Sequence, residues 1–261
     1  MATMTDPVWI LQSCVMNDCS VIAAERKAMR SLWAGLFCGI VLVVPVAADE
    51  GWVSLFDGSS LNGWKQAEHG KAKYEVVDGT IHGTTVEGSP NSFLMTEAEY
   101  GDFELEFDVK VHPELNSGCQ IRSRGKTAED VAEETSRQGK SPKGTNGAGR
   151  FHGPQVEIES TKGFSGFVYG EATGRGWLSP EPADPANSHK LIRVGDWNHF
   201  RIVAKGNRIQ TFINGKPVAD LTHDEIYKSH PRGHIGLQVH GIKAGTGPFD
   251  VAWKNLRLRK L

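Results

Sequence analysis

Phe103-Glu-Leu-Glu-Phe-Asp-Val-Lys-Val111 alternates apolar and polar residues without interruption. Successive side chains of a strand point to opposite faces, so this register puts Phe103, Leu105, Phe107, Val109 and Val111 on one face that must be covered. Working outward, the same reading marks strands at Tyr74–Val77, Thr80–Thr84, Gly118–Ser123, Gln155–Glu159, Gly166–Tyr169, Asn198–Lys205, Arg208–Ile213, Lys216–Leu221, His234–Val239 and Asp250–Leu258. Turn pairs separate them: Asp78-Gly79, Gly206-Asn207 and Asn214-Gly215, the last with the residues a type I′ hairpin requires. After residue 50 no stretch sustains an apolar helical period, and Asp130–Ser136 is the one short helix expected. The chain therefore predicts an all-β fold in which two sheets pack as a sandwich. Two connections, Gly125–Gly153 and Glu171–Asp196, are longer than a hairpin needs, and long loops of this kind are commonly functional or disordered.

A length of 261 residues exceeds the common domain size, yet all-β sandwiches of this order fold as one unit. The 30 glycines and 12 prolines are spread along the chain rather than gathered in a linker, which suits many short strands joined by turns. A formal net charge of −2 offers no concentrated positive surface, so nucleic acid is not an expected partner. The basic residues that alternate from Lys254 to Lys260 read as the solvated face of a terminal strand.

The N-terminal region has a separate character. Met29-Arg30, the apolar run Ser31–Pro45 and Val46-Ala47-Ala48 have the parts of an export signal with a cut before Asp49. The run is short for a membrane span, so no stable membrane insertion is expected after cleavage. Residues 1–28 read as an extension or a mis-assigned start, 29–48 as a signal peptide, and 49–261 as a single exported domain, periplasmic or secreted. Cys14, Cys19 and Cys38 fall in the leading segments, which leaves Cys119 alone in the mature domain with no partner for an internal disulfide.

Three strands carry polar residues in phase. Cys119 and Ile121 point inward, with Gln120, Arg122 and Arg124 opposite; Val156 and Ile158 point inward, with Gln155, Glu157 and Glu159 opposite; Leu237 and Val239 point inward, with Gln238 and His240 opposite. If these strands are neighbours, one sheet face collects amides, carboxylates, a guanidinium and an imidazole, the groups that hydrogen-bond sugar hydroxyls. Tyr169 adds an aromatic to that face, Trp177 on the second long loop offers a stacking plane, and His152 stands beside the Gln155 strand. No His or Cys spacing typical of structural zinc occurs in the mature domain. His240 and Glu157, with His152, have the donor types for a divalent ion, although nothing in their spacing demands one.

Gly51-Trp-Val-Ser-Leu-Phe-Asp-Gly58, Leu61-Asn-Gly-Trp64, Asn116-Ser-Gly118 leading to Arg122, Gln155-Val-Glu-Ile158, Asp196-Trp-Asn198, Ile213-Asn-Gly215, Gly236-Leu-Gln-Val-His240 and Trp253-Lys-Asn-Leu-Arg257 follow one another in an order that resembles the 3-keto-disaccharide hydrolase domain family, also described as 3-keto-glucoside lyase/hydratases. The resemblance runs from Gly51 to Leu261. It implies a concanavalin A-like jelly-roll sandwich with long loops over a concave, sugar-binding face, and a glycoside already oxidised at C3 as substrate. A C3 ketone acidifies the C2 hydrogen, so a base can remove it and the C1 substituent can leave; water then adds to the 2-hydroxyglycal. On this expectation His240 or Glu157 is the base, and Arg122, or a divalent ion on His240 and Glu157, stabilises the enolate oxygen. Gln155, Gln238 and Tyr169 orient hydroxyls, while Gln120, Trp177 and His152 complete the substrate contacts. Two other readings stay open: a direct glycosidase using Glu157 and Glu159, and a lectin-like module that binds a carbohydrate without cleaving it.

Overall fold

The computed structural model describes residues 51–160, 162–180 and 190–261; the expectations for residues 1–28 and 29–48, and the cut before Asp49, lie outside the described residues. The first sheet contains β1 (Trp52–Ser54), β3 (Lys73–Val77), β4 (Thr80–Thr84), β6 (Phe103–Val111), β11 (Asn198–Lys205), β12 (Arg208–Ile213), β13 (Lys216–Thr222) and β15 (Asp250–Lys260). The second contains β2 (Trp64–Gln66), β5 (Ser92–Thr96), β7 (Ser117–Gly125), β8 (Phe151–Ile158), β9 (Val168–Glu171), β10 (Gly176–Trp177) and β14 (His234–Val239). The first runs β13-β12-β11-β6-β15-β4-β3 with β1 also on β15, and the second runs β10-β9-β8-β7-β14-β5-β2, all antiparallel. This is the all-β, two-sheet sandwich that the alternation in β6 demands.

Phe103, Leu105 and Phe107 of β6 are 0% exposed, and Cys119, Ile121, Val156 and Leu237 of the opposite sheet are equally buried. Phe107 stacks on Phe200 of β11 with ring centroids 5.5 Å apart. Each large apolar side chain closed in this way contributes about 1.5–3 kcal/mol, so the inward positions dominate the stability of the sandwich. On the outer face of β6, Glu104 meets Arg201 and Arg259, Glu106 meets Arg257 at 2.7 Å, and Asp108 meets His199 at 2.9 Å. The terminal basic residues are thus half of a cross-strand ion ladder.

The turns behave as their residues dictate. Asn214 and Gly215 both take positive φ, 49° and 77°, and close Ile213 onto Lys216. The expected helix is longer than Asp130–Ser136. It spans α1 (Ala128–Gln138) because Thr127 and Asp130 form a capping box and Gly139 ends it at φ 69°. A second helix, α2 (Asp224–Ser229), is too short for any period to announce it. The strand expected at Gly166–Tyr169 begins at Val168, since Phe167 donates its N–H back to the Phe164 carbonyl in a turn.

One departure changes the reading of the polar face. Gln120 pairs with Gln155 but Arg124 pairs with His152, so β7 carries a bulge at Ile121–Ser123, with Arg122 at φ 50°. An extra residue reverses the alternation beyond it. Arg122 therefore does not share the face of Gln120: it is 2% exposed and donates to the Gly101 carbonyl at 2.7 Å, the Gly206 carbonyl at 2.7 Å and Asp102 at 2.9 Å. These partners flank β6 and join β11 to β12, so the guanidinium ties the second sheet to one end of the first. Arg122→Leu is expected to lower the unfolding free energy in urea by roughly 3 kcal/mol, the scale for losing the three hydrogen bonds of a buried guanidinium, with no change in sugar affinity. Lost affinity at unchanged stability would return Arg122 to the site.

Candidate functional site

Antiparallel registration of β8, β7 and β14 sets the polar groups in rows. Glu157 and Gln238 both lie opposite Gly118, while Gln155 lies between Gln120 and Tyr169. Glycine at 118 makes room for Gln155: a Cβ there would lie 2.6 Å from Cδ of Gln155 and push that side chain aside. Gln155 leans across that space, and its Nε2 donates to Glu157 Oε1 at 2.7 Å and to Gln238 Oε1 at 3.4 Å. Asn116, just before β7, donates to Glu157 Oε2 at 3.1 Å. Both carboxyl oxygens of Glu157 are thereby held by neutral amides.

This environment decides the charge of Glu157. Burial raises its pKa to about 7, the amide hydrogen bonds pull it down, and Glu171 and Glu159 add to the rise. A carboxyl that exchanges its proton near neutrality is suited to general acid–base work. Gln155 and Gln238 are 2% and 0% exposed, so they lie in the floor of the hollow rather than on its rim, and of the two Gln155 holds Glu157. Gln155 Oε1 and Gln238 Nε2 have no hydrogen-bond partner, nor does either amide atom of the buried Gln120.

Above this floor opens a hollow of about 600 Å³, lined by Glu157, Gln155, Gln238, Tyr169, Trp177 and His240 among others. Trp177 pairs with Tyr169 across β9 and β10, its ring 5.3 Å from Tyr169 edge to face and 5.2 Å from Phe164. The three rings form an aromatic wall of the kind that packs against the apolar face of a pyranose. His240 follows β14, and its Nδ1 lies 2.7 Å from the Gly241 carbonyl. A carbonyl only accepts, so Nδ1 carries the proton and the Nε2 lone pair of the neutral ring is left open.

Of the residues singled out in the sequence, Glu157, His240, Gln155, Gln238, Tyr169 and Trp177 are thus brought together, and Arg122, Gln120 and His152 do not line the hollow. His152 is an odd number of residues from Gln155, which turns it away. It lines another hollow instead, with Nδ1 2.9 Å from the Arg124 carbonyl and its ring 4.7 Å from His230. Burial depresses the pKa of His152 to about 4 and that of His230 to about 3. Among the described residues no group of three or more His, Cys, Asp or Glu side chains is placed to hold a metal ion, so the ion expected on His240 and Glu157 finds no further ligand of these types.

Glu159 has a different task from the one its spacing suggests. Its carboxylate accepts the backbone N–H of Lys162 at 2.5 Å and of Phe164 at 2.7 Å, which fixes the loop after β8 and carries Lys162 and Phe164 to the rim. Sequence reasoning passed over Asn116, Lys162, Phe164, Glu171 and Lys243, all lining the hollow. Asn116 stands in a motif of the family resemblance and was legible there; the rest, mostly on loops, have no period to mark them.

The raised pKa of Glu157 has a definite consequence for stability. The folded chain binds a proton that the unfolded chain has released, so stability falls as pH rises from about 4.5 to about 7. Across that window the wild type is expected to lose on the order of 3 kcal/mol relative to Glu157→Gln, measured by urea unfolding at each pH. Gly118→Ala displaces Gln155, removes one hydrogen bond that favours the ionised form, and is expected to move the Glu157 midpoint upward in the same titration.

The model of the 3-keto-alpha-glucoside-1,2-lyase-like domain matches residues 51–259. No curated protein matches the sequence. Among solved structures, a protein of Parabacteroides distasonis ATCC 8503 assigned provisionally to the glycosyl hydrolases superposes with a TM-score of 0.50 at 18% identity, covering 81% of this chain and 94% of that one. The carbohydrate binding module CBM66 from Bacillus subtilis superposes with a TM-score of 0.50 at 15% identity, covering 76% of this chain and 96% of that one. At these identities the two structures speak for the jelly-roll fold alone.

Proposed function

The chain belongs to the 3-keto-alpha-glucoside-1,2-lyase-like domain family, and we propose that it cleaves glycosides oxidised at C3, acting outside the cytoplasm as the leader-like segment before Asp49 suggests. The observation that carries this reading is Glu157: a buried carboxyl, held by neutral amides, with a pKa of about 7 beneath a sugar-sized hollow. The carbohydrate-binding and glycosyl hydrolase assignments of the similar structures are consistent with a carbohydrate as ligand.

In this mechanism the sugar ring stacks on Trp177 and Tyr169. The open Nε2 of His240 removes the C2 hydrogen, and the electron pair moves into the C2–C3 bond as the ketone oxygen becomes an enolate. Lys162 and Lys243, exposed cations on the rim, take the role that the family resemblance implied for Arg122 and stabilise that oxygen. The enolate then re-forms the ketone and expels the C1 substituent, which receives the Glu157 proton, leaving a double bond between C1 and C2. Water added across that bond completes net hydrolysis. The oxidised ring supplies its own electron sink, so one poised carboxyl suffices. This agrees with Glu159 being tied to backbone N–H groups rather than free as a second catalytic carboxylate.

A non-catalytic sugar-binding role is the second reading, favoured by the aromatic wall, which would bind a ring whether or not it were cleaved. Purified protein incubated with a 3-keto-disaccharide and with its unoxidised parent separates the cases. Turnover of the keto form alone is expected, reduced at least about 100-fold by Glu157→Gln and by His240→Ala, the scale of general acid–base contributions. Equal turnover of both sugars would mark a direct glycosidase, and saturable binding without product would mark a lectin.

A further inference from the structure

The hollow over Glu157 does not end at the aromatic wall. Asn91, Tyr169 and Glu171 line it and also line a second hollow of about 620 Å³ on their far side. This shared sill is rigidly built. Glu171 accepts from Arg150 at 2.5 Å and from Asn91 at 3.2 Å, and Arg150 donates to the Asn91 carbonyl at 2.9 Å. The far wall is the segment after α1, which is also anchored: Gly139 closes the helix, Lys126 donates to the Asn146 carbonyl at 3.0 Å, and Gly149 donates to the Lys126 carbonyl at 2.8 Å.

The two hollows differ in charge. Around the first, Glu171 is paired with Arg150 and Glu157 keeps its proton near neutrality, so Glu114 and Glu159 are balanced by Lys162 and Lys243 among the described residues. Around the second, Glu171 is paired with Arg150 and Glu134 with Lys126 at 2.7 Å, which leaves Lys140 and Lys143 exposed and without a carboxylate partner among the described residues. Two uncompensated ammonium groups on a fixed wall favour an anionic occupant.

We propose that the second hollow receives the part of the substrate beyond the reacting ring and selects for an anionic one, such as a uronic-acid ring. This rests on the reading of the first hollow as the site of the reacting sugar. Attraction across exposed lysines is modest and screened by salt, so the selectivity is a preference rather than an exclusion.

Calorimetric titration of the full chain with a neutral disaccharide of glucose, and with the same disaccharide carrying a carboxylate on the ring distal to the reacting one, tests this. The acidic sugar is expected to bind about five- to tenfold tighter at low ionic strength, the scale for two exposed charge pairs. High salt should narrow the advantage, and the Lys140→Gln/Lys143→Gln double variant should abolish it while leaving affinity for the neutral sugar unchanged. Equal affinity for both sugars, or an advantage indifferent to the double variant, overturns the second-hollow proposal while the sugar site stands. Binding of neither sugar sinks the sugar-site reading and this proposal with it.

Discussion

A missing side chain in the middle of a sheet governs this site. Gly118 lies between Glu157 and Gln238 in the paired strands, and the room it leaves lets Gln155 lie flat and donate to Glu157. Without that room the carboxyl would lose a hydrogen bond it cannot recover from water, since Glu157 is 7% exposed. The pKa of about 7 is therefore a balance between burial, which favours the acid, and two amide donors, which favour the anion.

The surrounding fold keeps that balance stable. An apolar interior closed by β6 and its neighbours supplies the rigidity, and Arg122 locks one end of the sandwich by bridging from β7 to the far sheet. Glu159 orders the loop that brings Lys162 and Phe164 to the rim. Both residues look catalytic by type and both act as ties, because a charged side chain whose donors or acceptors are already engaged has little left to offer a substrate. The orphaned amide atoms of Gln155 and Gln238 fit a functional floor, where full internal satisfaction yields to a site's needs.

Much of the fold was legible because strand alternation depends on nearest neighbours alone. The strands from Phe103 to Val111, from Asn198 to Ile213 and from Asp250 onward needed only local pattern, and the Asn214-Gly215 turn needed only its residue types. The short strands at Trp52, Trp64, Ser92 and Gly176 and the helix at Asp224 were missed, since each is too brief for a period to register. The family resemblance supplied the jelly-roll architecture and the expectation of a C3-oxidised glycoside, which strand pattern could not.

The sequence by itself determined that the chain is a β-sandwich, that Gln155 and Glu157 share the polar face of one strand and that Gln238 and His240 share the polar face of another, because the faces of single strands follow from parity. Only the tertiary structure decided which strands adjoin, that a bulge in β7 turns Arg122 inward, that His152 faces a different hollow, and that Glu157 keeps its proton near neutrality. Those outcomes depend on long-range registration and on the loss of water around a carboxyl, and neither quantity is encoded in the order of neighbouring residues.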